Sequence, residues 1–186
     1  KKDIELLVSQ VNRCNEILKR LSINSTLEDD FIGKDLSLNN YLKEIINSFR
    51  EISDKKFILN TEQDYNSFDI KKSIEIIYGI RNFVGNANKY AKKNIYVSIK
   101  SDSETSEIVI EDDGPGFSKD ILAKIGEPYI KSLRAKDNQK AGLGLGIFIG
   151  KTLLEKNYAK ILFRNSETRG GAEIKIEWTN KNLIKI

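Results

Sequence analysis

The chain has 186 residues, 39% hydrophobic and 31% charged, a balance that describes a packed core rather than disorder. Its net charge of +4 is carried by scattered lysines, too mild a basic balance to indicate a nucleic-acid partner. It contains no His and a single Cys, which excludes a histidine metal centre, a Ser-His or Cys-His nucleophile, an internal disulfide and a cysteine zinc cluster.

Residues 1–22 read as one helix, because Ile4, Leu7, Val11, Cys14, Leu18 and Leu21 recur at heptad spacing. Leu6, Val8 and Ile17 widen that stripe, which suits a helical bundle better than a two-stranded coil. A lone helix cannot bury such a stripe, so a second copy of the chain or a segment outside this sequence is expected to cover it. Residues 23–35, rich in Ser, Asn, Thr, Asp and Gly, read as a linker. Ser37 reads as the cap of a helix over about 38–50, with Leu38, Tyr41, Leu42, Ile45, Ile46 and Phe49 on its apolar side. Lys56–Asn60 reads as a strand. Asp69 reads as the cap of a long helix reaching about Ala91.

That helix divides into two faces. Ile77, Ile80, Val84, Ala87 and Ala91 form the apolar one, and Asn82, Asn86 and Lys89 lie opposite. Gly79 and Gly85 interrupt it, each costing up to about 1 kcal/mol relative to Ala. They suggest that something approaches the backbone closely. Two alternating strands follow, with Ile95, Val97 and Ile99, then Ile108 and Ile110. The second runs directly into Asp112-Asp113-Gly114-Pro115-Gly116. A polar stretch leads to Gly142-Leu143-Gly144-Leu145-Gly146, which opens a helix to about Lys156. Lys160–Arg164 reads as a strand, and Arg169-Gly170-Gly171 turns into a last strand in which Ala172, Ile174, Ile176 and Trp178 alternate with Glu173, Lys175 and Glu177. Largely antiparallel strands with helices to cover one face give an α/β two-layer sandwich, preceded by one bundle-forming helix. No apolar run approaches the roughly 18 residues of a membrane span. The start at Lys1 and the lack of Met lead us to expect a piece of a longer protein.

Two glycine clusters flanking a polar segment suggest a nucleotide pocket with a movable cover. Three commoner motifs fail. A P-loop would need Gly at Leu145, a dinucleotide fingerprint would need Gly at Ile147, and a calcium loop would need ligands where Gly114 and Pro115 stand.

Taken together, the motifs resemble the ATP-binding domain of the gyrase, heat-shock-90, histidine-kinase and MutL superfamily (the Bergerat-type fold). The match covers about residues 30–180. Asn82-Phe-Val-Gly-Asn86-Ala-Asn-Lys89-Tyr90 resembles its N box. Asp112-Asp-Gly114-Pro-Gly116 resembles the first glycine box and Gly142 to Gly146 the second. Glu127-Pro128-Tyr129 is similar to the aromatic box of the ATP lid, placed at about 117–141. The catalytic ATP-binding domain is expected over 36–182.

The resemblance implies that ATP and Mg²⁺ bind. Asp112 would accept a hydrogen bond from the adenine amino group, Asn86 would ligate Mg²⁺, Lys89 would supply a cation for phosphate, and Asn82 would be among the nucleotide-binding residues. Tyr90 and Tyr129 would pack near the base or ribose. The amides from Gly142 through Leu143, Gly144, Leu145 and Gly146 would receive phosphate. Lys131 and Arg134 would reach the γ-phosphate from the lid. Where water-splitting members carry a Glu, this chain has Asn82, which cannot act as a base; this favours transfer to a protein nucleophile. The acceptor in histidine kinases is a His on a preceding helix. Residues 1–22 resemble the second helix of that dimerisation hairpin.

Arg13 to Ser22, Gly126 to Tyr129 and Gly142 to Glu155 further resemble the RegB/PrrB redox-sensing kinases. That resemblance implies a homodimer, a membrane-embedded sensor outside this sequence, a cytoplasmic kinase core and a RegA/PrrA-like response regulator. It also implies redox control through Cys14, the alternative being an ordinary buried thiol. Two other functions remain open: a nucleotide-binding dimerisation module without phosphotransfer, and a serine-kinase relative of the same superfamily.

Overall fold

The structure is a computed structural model that describes residues 36–61, 69–70, 73–128 and 145–183. All lie within the second of the two units into which the chain divides, Asp35–Ile186. The predicted helix 1–22, the linker and Cys14 lie outside the described residues.

The core is a five-stranded sheet, built from β2 (Lys56–Thr61), β4 (Asn94–Ser101), β5 (Thr105–Asp112), β6 (Lys160–Asn165) and β7 (Ala172–Thr179). Its order is β2-β4-β5-β7-β6. The β2–β4 pair is parallel, with Phe57 beside Ile95, and the other pairs are antiparallel. Alternation decides which face is covered. Ile95, Val97, Ile108, Ile110, Ile174, Ile176 and Trp178 are buried beneath the helices. The Trp178 indole N–H donates to the Asn157 carbonyl at 3.1 Å, so the largest core side chain buries no unpaired polar atom.

Three helices cover that face: α1 (Leu38–Arg50), α2 (Ile74–Tyr90) and α4 (Gly146–Lys156); α3 (Lys119–Leu122) and α5 (Asn180–Leu183) are single turns. Ser37 caps α1 as expected, its hydroxyl accepting from the Asn40 amide at 3.3 Å. The cap of α2 differs from the sequence expectation. Ser73, not Asp69, accepts from the Ile76 amide at 3.3 Å. Asp69 instead belongs to β3 (Asp69–Ile70), which pairs antiparallel with β1 (Leu36–Ser37). A residue held in a strand pairing four positions upstream is not free to close the first helical turn.

The interior glycines of α2 are explained by the helices beside it. A methyl group on Gly79 would run into the Leu154 side chain of α4, with Cδ2 2.9 Å away. One on Gly85 would meet the Phe49 ring of α1 at 3.5 Å, an ordinary contact. The close approach to this helix is made by its neighbours in the fold.

The other face of the sheet carries no helix among the described residues. It is covered by its own charges: Lys175 pairs with Glu107 and with Glu177, Arg164 pairs with Glu173 at 2.6 Å, and the Arg169 guanidinium lies 4.0 Å from the Tyr96 ring centre. A cavity of about 320 Å³ opens there, lined by groups of this ladder.

Candidate nucleotide-binding site

The predicted site residues that the structure describes fall on the opposite side from that cavity, along the second half of α2, at the end of β5 and at the start of α4. Asn82 and Asn86 lie half-buried on the outward side of α2, while Ile77, Ile80, Val84, Ala87 and Ala91 are buried on the other, as their spacing predicts. The Asn82 amide group is oriented by its own helix, donating to the Tyr78 carbonyl at 2.8 Å. Its carboxamide oxygen, which accepts no hydrogen bond among the described residues, faces the start of α4, where a methyl group on Gly146 would sit 3.7 Å from it. That helix start has no side-chain cap, because Leu145 occupies the cap position. No side chain among the described residues caps its first amides, and a helix N-terminus favours an anion. Asn86 makes no hydrogen bond among the described residues. Lys89 is exposed, its ammonium 5.2 Å from the Tyr90 ring centre, and Tyr90 is itself 49% exposed.

A second cluster forms at the end of β5. Asp112 is only 3% exposed. Its Oδ1 accepts from the Gly114 amide at 2.8 Å and the Ala172 amide at 3.3 Å; Oδ2 makes no hydrogen bond among the described residues. Burial pushes this carboxyl above its ordinary value, the two amides pull it down, and the neighbouring charge of Asp113 adds to the rise. Two glycines make room for it. A methyl group on Gly171 would strike the Asp112 carbonyl, and one on Gly114 would strike the Tyr90 carbonyl and lie 2.7 Å from Asp112 Oδ1. The first glycine box and the last glycine turn thus meet at one carboxylate, with the end of the N box packed against Gly114.

Asp113 has a different task. Its Oδ1 accepts from the Lys92 and Lys93 amides at 2.8 and 3.0 Å, and its Oδ2 from the Asn94 amide and side chain at 3.0 and 2.9 Å. Burial alone would raise its pKa, but these hydrogen bonds outweigh it and hold the carboxyl below the ordinary value. It ties the turn between α2 and β4 to the first glycine box.

Sequence reasoning missed Asn165. Its Oδ1 accepts from the Phe117 amide at 2.6 Å and its Nδ2 donates to the Phe117 carbonyl at 3.0 Å. This two-point clasp joins the edge strand β6 to the exit of the first glycine box. It also explains Gly116, whose φ is +70° and where a side chain would lie 2.7 Å from Asn165 Oδ1. Phe163 continues the link, stacking edge-on against Phe117 at 6.4 Å and Phe83 at 5.7 Å. A single Asn in a strand carries no local signal of such a role.

The remaining predicted residues, Tyr129, Lys131, Arg134, Gly142, Leu143 and Gly144, lie outside the described residues, while Glu127 and Pro128 are exposed. No group of three or more Asp, Glu, Cys or His among the described residues is arranged to hold a metal.

Comparison with known proteins bears on the family and the fold. Residues 72–182 match the family described as histidine kinase-, DNA gyrase B- and HSP90-like ATPase. The sensor histidine kinase RegB of Cereibacter sphaeroides is 29% identical over 99% of this chain and 43% of its own length. CpxA of Escherichia coli is 24% identical over 88% of this chain and 31% of its own. The chain thus spans less than half the length of these relatives. Among solved structures, the mycobacterial sensor histidine kinase MprB superposes with a TM-score of 0.65 at 19% identity, covering 77% of this chain and 96% of MprB. The catalytic domain of the histidine kinase ThkA does so with 0.63 at 20%, covering 77% and 95%. A match over most of the described domain, on a fold shared with sensor-kinase catalytic domains, places this chain in the histidine kinase-, DNA gyrase B- and HSP90-like ATPase family, with a RegB-type resemblance along nearly its whole length.

Proposed function

We propose that this chain is the ATP-binding kinase core of a RegB-type sensor histidine kinase, with its catalytic domain over 36–182, a linker over 23–35 and a partial dimerisation hairpin over 1–22. One observation carries the reading: the Asn82 oxygen, which accepts no hydrogen bond among the described residues, faces the start of α4, while a separate buried carboxylate, Asp112, keeps one oxygen without a hydrogen bond among the same residues. These suit the two ends of a nucleotide. Asp112 Oδ2 accepts from an adenine amino group, and the α4 amides with Asn82 and Lys89 receive phosphate. Asn86, with no other hydrogen bond among the described residues, offers one oxygen to Mg²⁺. Tyr90 and Tyr129 flank the base, Gly142, Leu143, Gly144, Leu145 and Gly146 form the phosphate loop, and Lys131 and Arg134 approach the γ-phosphate.

Mg-ATP, when bound, supplies the transferable γ-phosphoryl group. Asn82 has no basic form, so it does not activate water, and transfer to a His nitrogen is favoured over hydrolysis. The acceptor His is supplied outside this sequence, which contains none. Relay then passes to a RegA/PrrA-like response regulator. The full protein is a homodimer whose kinase core is cytoplasmic, beneath a sensor in the bacterial inner membrane. Cys14 serves redox control by meeting its symmetry mate on the bundle seam. Electrophoresis of oxidised wild type and Cys14→Ala tests that step: a reducible dimer confined to wild type supports it, and identical lanes dismiss it.

The central test is a nucleotide titration with and without Mg²⁺, followed by incubation with labelled ATP. The chain should bind Mg-ATP without labelling itself, and label should appear on an added hairpin fragment bearing the upstream His. Stable label on the 186-residue chain alone would overturn the assignment.

A further inference from the structure

Helices α2 and α4 run antiparallel and interlock through two glycines. Gly79 of α2 receives Leu154 of α4, and Gly150 of α4 receives Phe83 of α2. A methyl group on Gly150 would lie 2.6 Å from Phe83 Cε1, 2.9 Å from Phe83 Cδ1 and 3.1 Å from the Gly79 carbonyl oxygen. Gly79 and Phe83 are one turn apart on α2, as are Gly150 and Leu154 on α4, so the two contacts form a reciprocal pair. One turn further toward the N-terminus of α4 the same groove reaches Gly146 beside Asn82 Oδ1, at 3.7 Å from where a side chain would begin. The interlock and the phosphate end of the site are therefore successive layers of one helix–helix contact.

We infer that Gly150 is a positioning residue for the phosphate tail of the nucleotide: by letting α4 sink against Phe83 and the α2 backbone, it sets the gap between Asn82 and the α4 amides. This rests on the nucleotide reading above. The adenine end is independent of this gap, because Asp112 is held by amides of Gly114 and Ala172, on the β5 loop and β7. Phe83 is fully buried against its neighbours, so a methyl group on Gly150 cannot be absorbed by swinging the ring into solvent. The helices must separate instead, and a displacement of a few tenths of an ångström or more reaches Gly146.

The interlock predicts a discrimination that general loss of stability would not produce. In the 186-residue chain, Gly150→Ala should weaken Mg-ATP about tenfold, as misplacing one half of a preorganised site does, and leave adenosine affinity within about twofold of wild type. The double variant Gly150→Ala with Phe83→Leu, which returns the space, should recover the wild-type ratio of the two affinities. Calorimetric titration with Mg-ATP and with adenosine reads both, and a thermal melt reports folding. An unchanged ratio in Gly150→Ala, a parallel loss for both ligands, or a double variant that folds but keeps the weakened ratio would each overturn the inference. If Gly150→Ala does not fold, the double variant decides it by binding with the wild-type ratio or failing to. Wild type binding neither ligand would instead remove the nucleotide reading itself.

Discussion

Replacing Asp112 by Asn should separate binding from folding. The new side chain keeps an Oδ1 in place, so the hydrogen bonds from the Gly114 amide at 2.8 Å and the Ala172 amide at 3.3 Å survive. Two things are lost: the buried negative charge and the second carboxylate oxygen. Burial is the largest influence on this carboxyl and raises its pKa above the ordinary 3.8. A carboxyl with a raised folded value destabilises the fold once pH passes the unfolded value, increasingly until the folded value is passed and constantly above it. Asp112→Asn should therefore melt at or above the wild-type temperature at neutral pH, and the difference should shrink as pH falls toward about 4. Nucleotide affinity should move the other way. An amide nitrogen now opposes the adenine amino group, and loss of a hydrogen bond to a charged acceptor costs about 1.5–3 kcal/mol, or about ten- to hundredfold in Kd. Calorimetric titration with Mg-ATP, paired with melts from about pH 4 to about pH 8, measures both quantities. Unchanged affinity in a normally melting variant would remove Asp112 from the adenine end. A large drop in melting temperature would show that the charge itself holds the loop. Asp112→Ala is the contrasting control, since it strands two buried amides and should destabilise by about 1–3 kcal/mol for each.

Three further outcomes are expected. Asp113→Ala removes a carboxylate held below its ordinary pKa of 3.8 by hydrogen bonds, so the stability it contributes is present above that value and fades as pH falls through the lower folded one. Melts should show a wild-type advantage that is constant near neutrality and narrows in acid; an advantage that grows in acid would reverse the assignment. Asn165→Ala breaks both clasp hydrogen bonds to Phe117 and should cost about 1–3 kcal/mol by denaturant titration. Asn165→Asp keeps the acceptor alone and should fall between; equal stability of all three proteins would show that the clasp contributes nothing. For Asn86→Ala, the gain in ATP affinity on adding Mg²⁺ should vanish while the melt is unchanged, and a persisting Mg²⁺ effect would place the ion elsewhere.

Short-range pattern carried most of the elements. The capping hydroxyl of Ser37, the apolar face of α2 and the alternation of β4, β5 and β7 are written in residues two to four apart, which is the range over which helices and strands repeat. Local pattern erred where a neighbour distant in sequence intervened. Asp69 is drawn into a pairing with Ser37, which leaves Ser73 to cap α2. Gly79 signalled a close approach without saying by what, and the neighbour is Leu154, 75 positions away.

What the sequence alone determined is which chemical groups are available: two carboxamides one helical turn apart, an acid at a strand end, glycines in two boxes, and no His. These follow from composition and local periodicity and need no partner across the fold. The tertiary structure alone decided how they are held. It set the strand order β2-β4-β5-β7-β6 with β2 parallel to β4, the clasp of Asn165 on Phe117 across 48 positions, and the interlock of Gly79 and Gly150 with Leu154 and Phe83. Contacts between residues far apart in the chain are made by packing, and packing leaves no periodic mark on either segment.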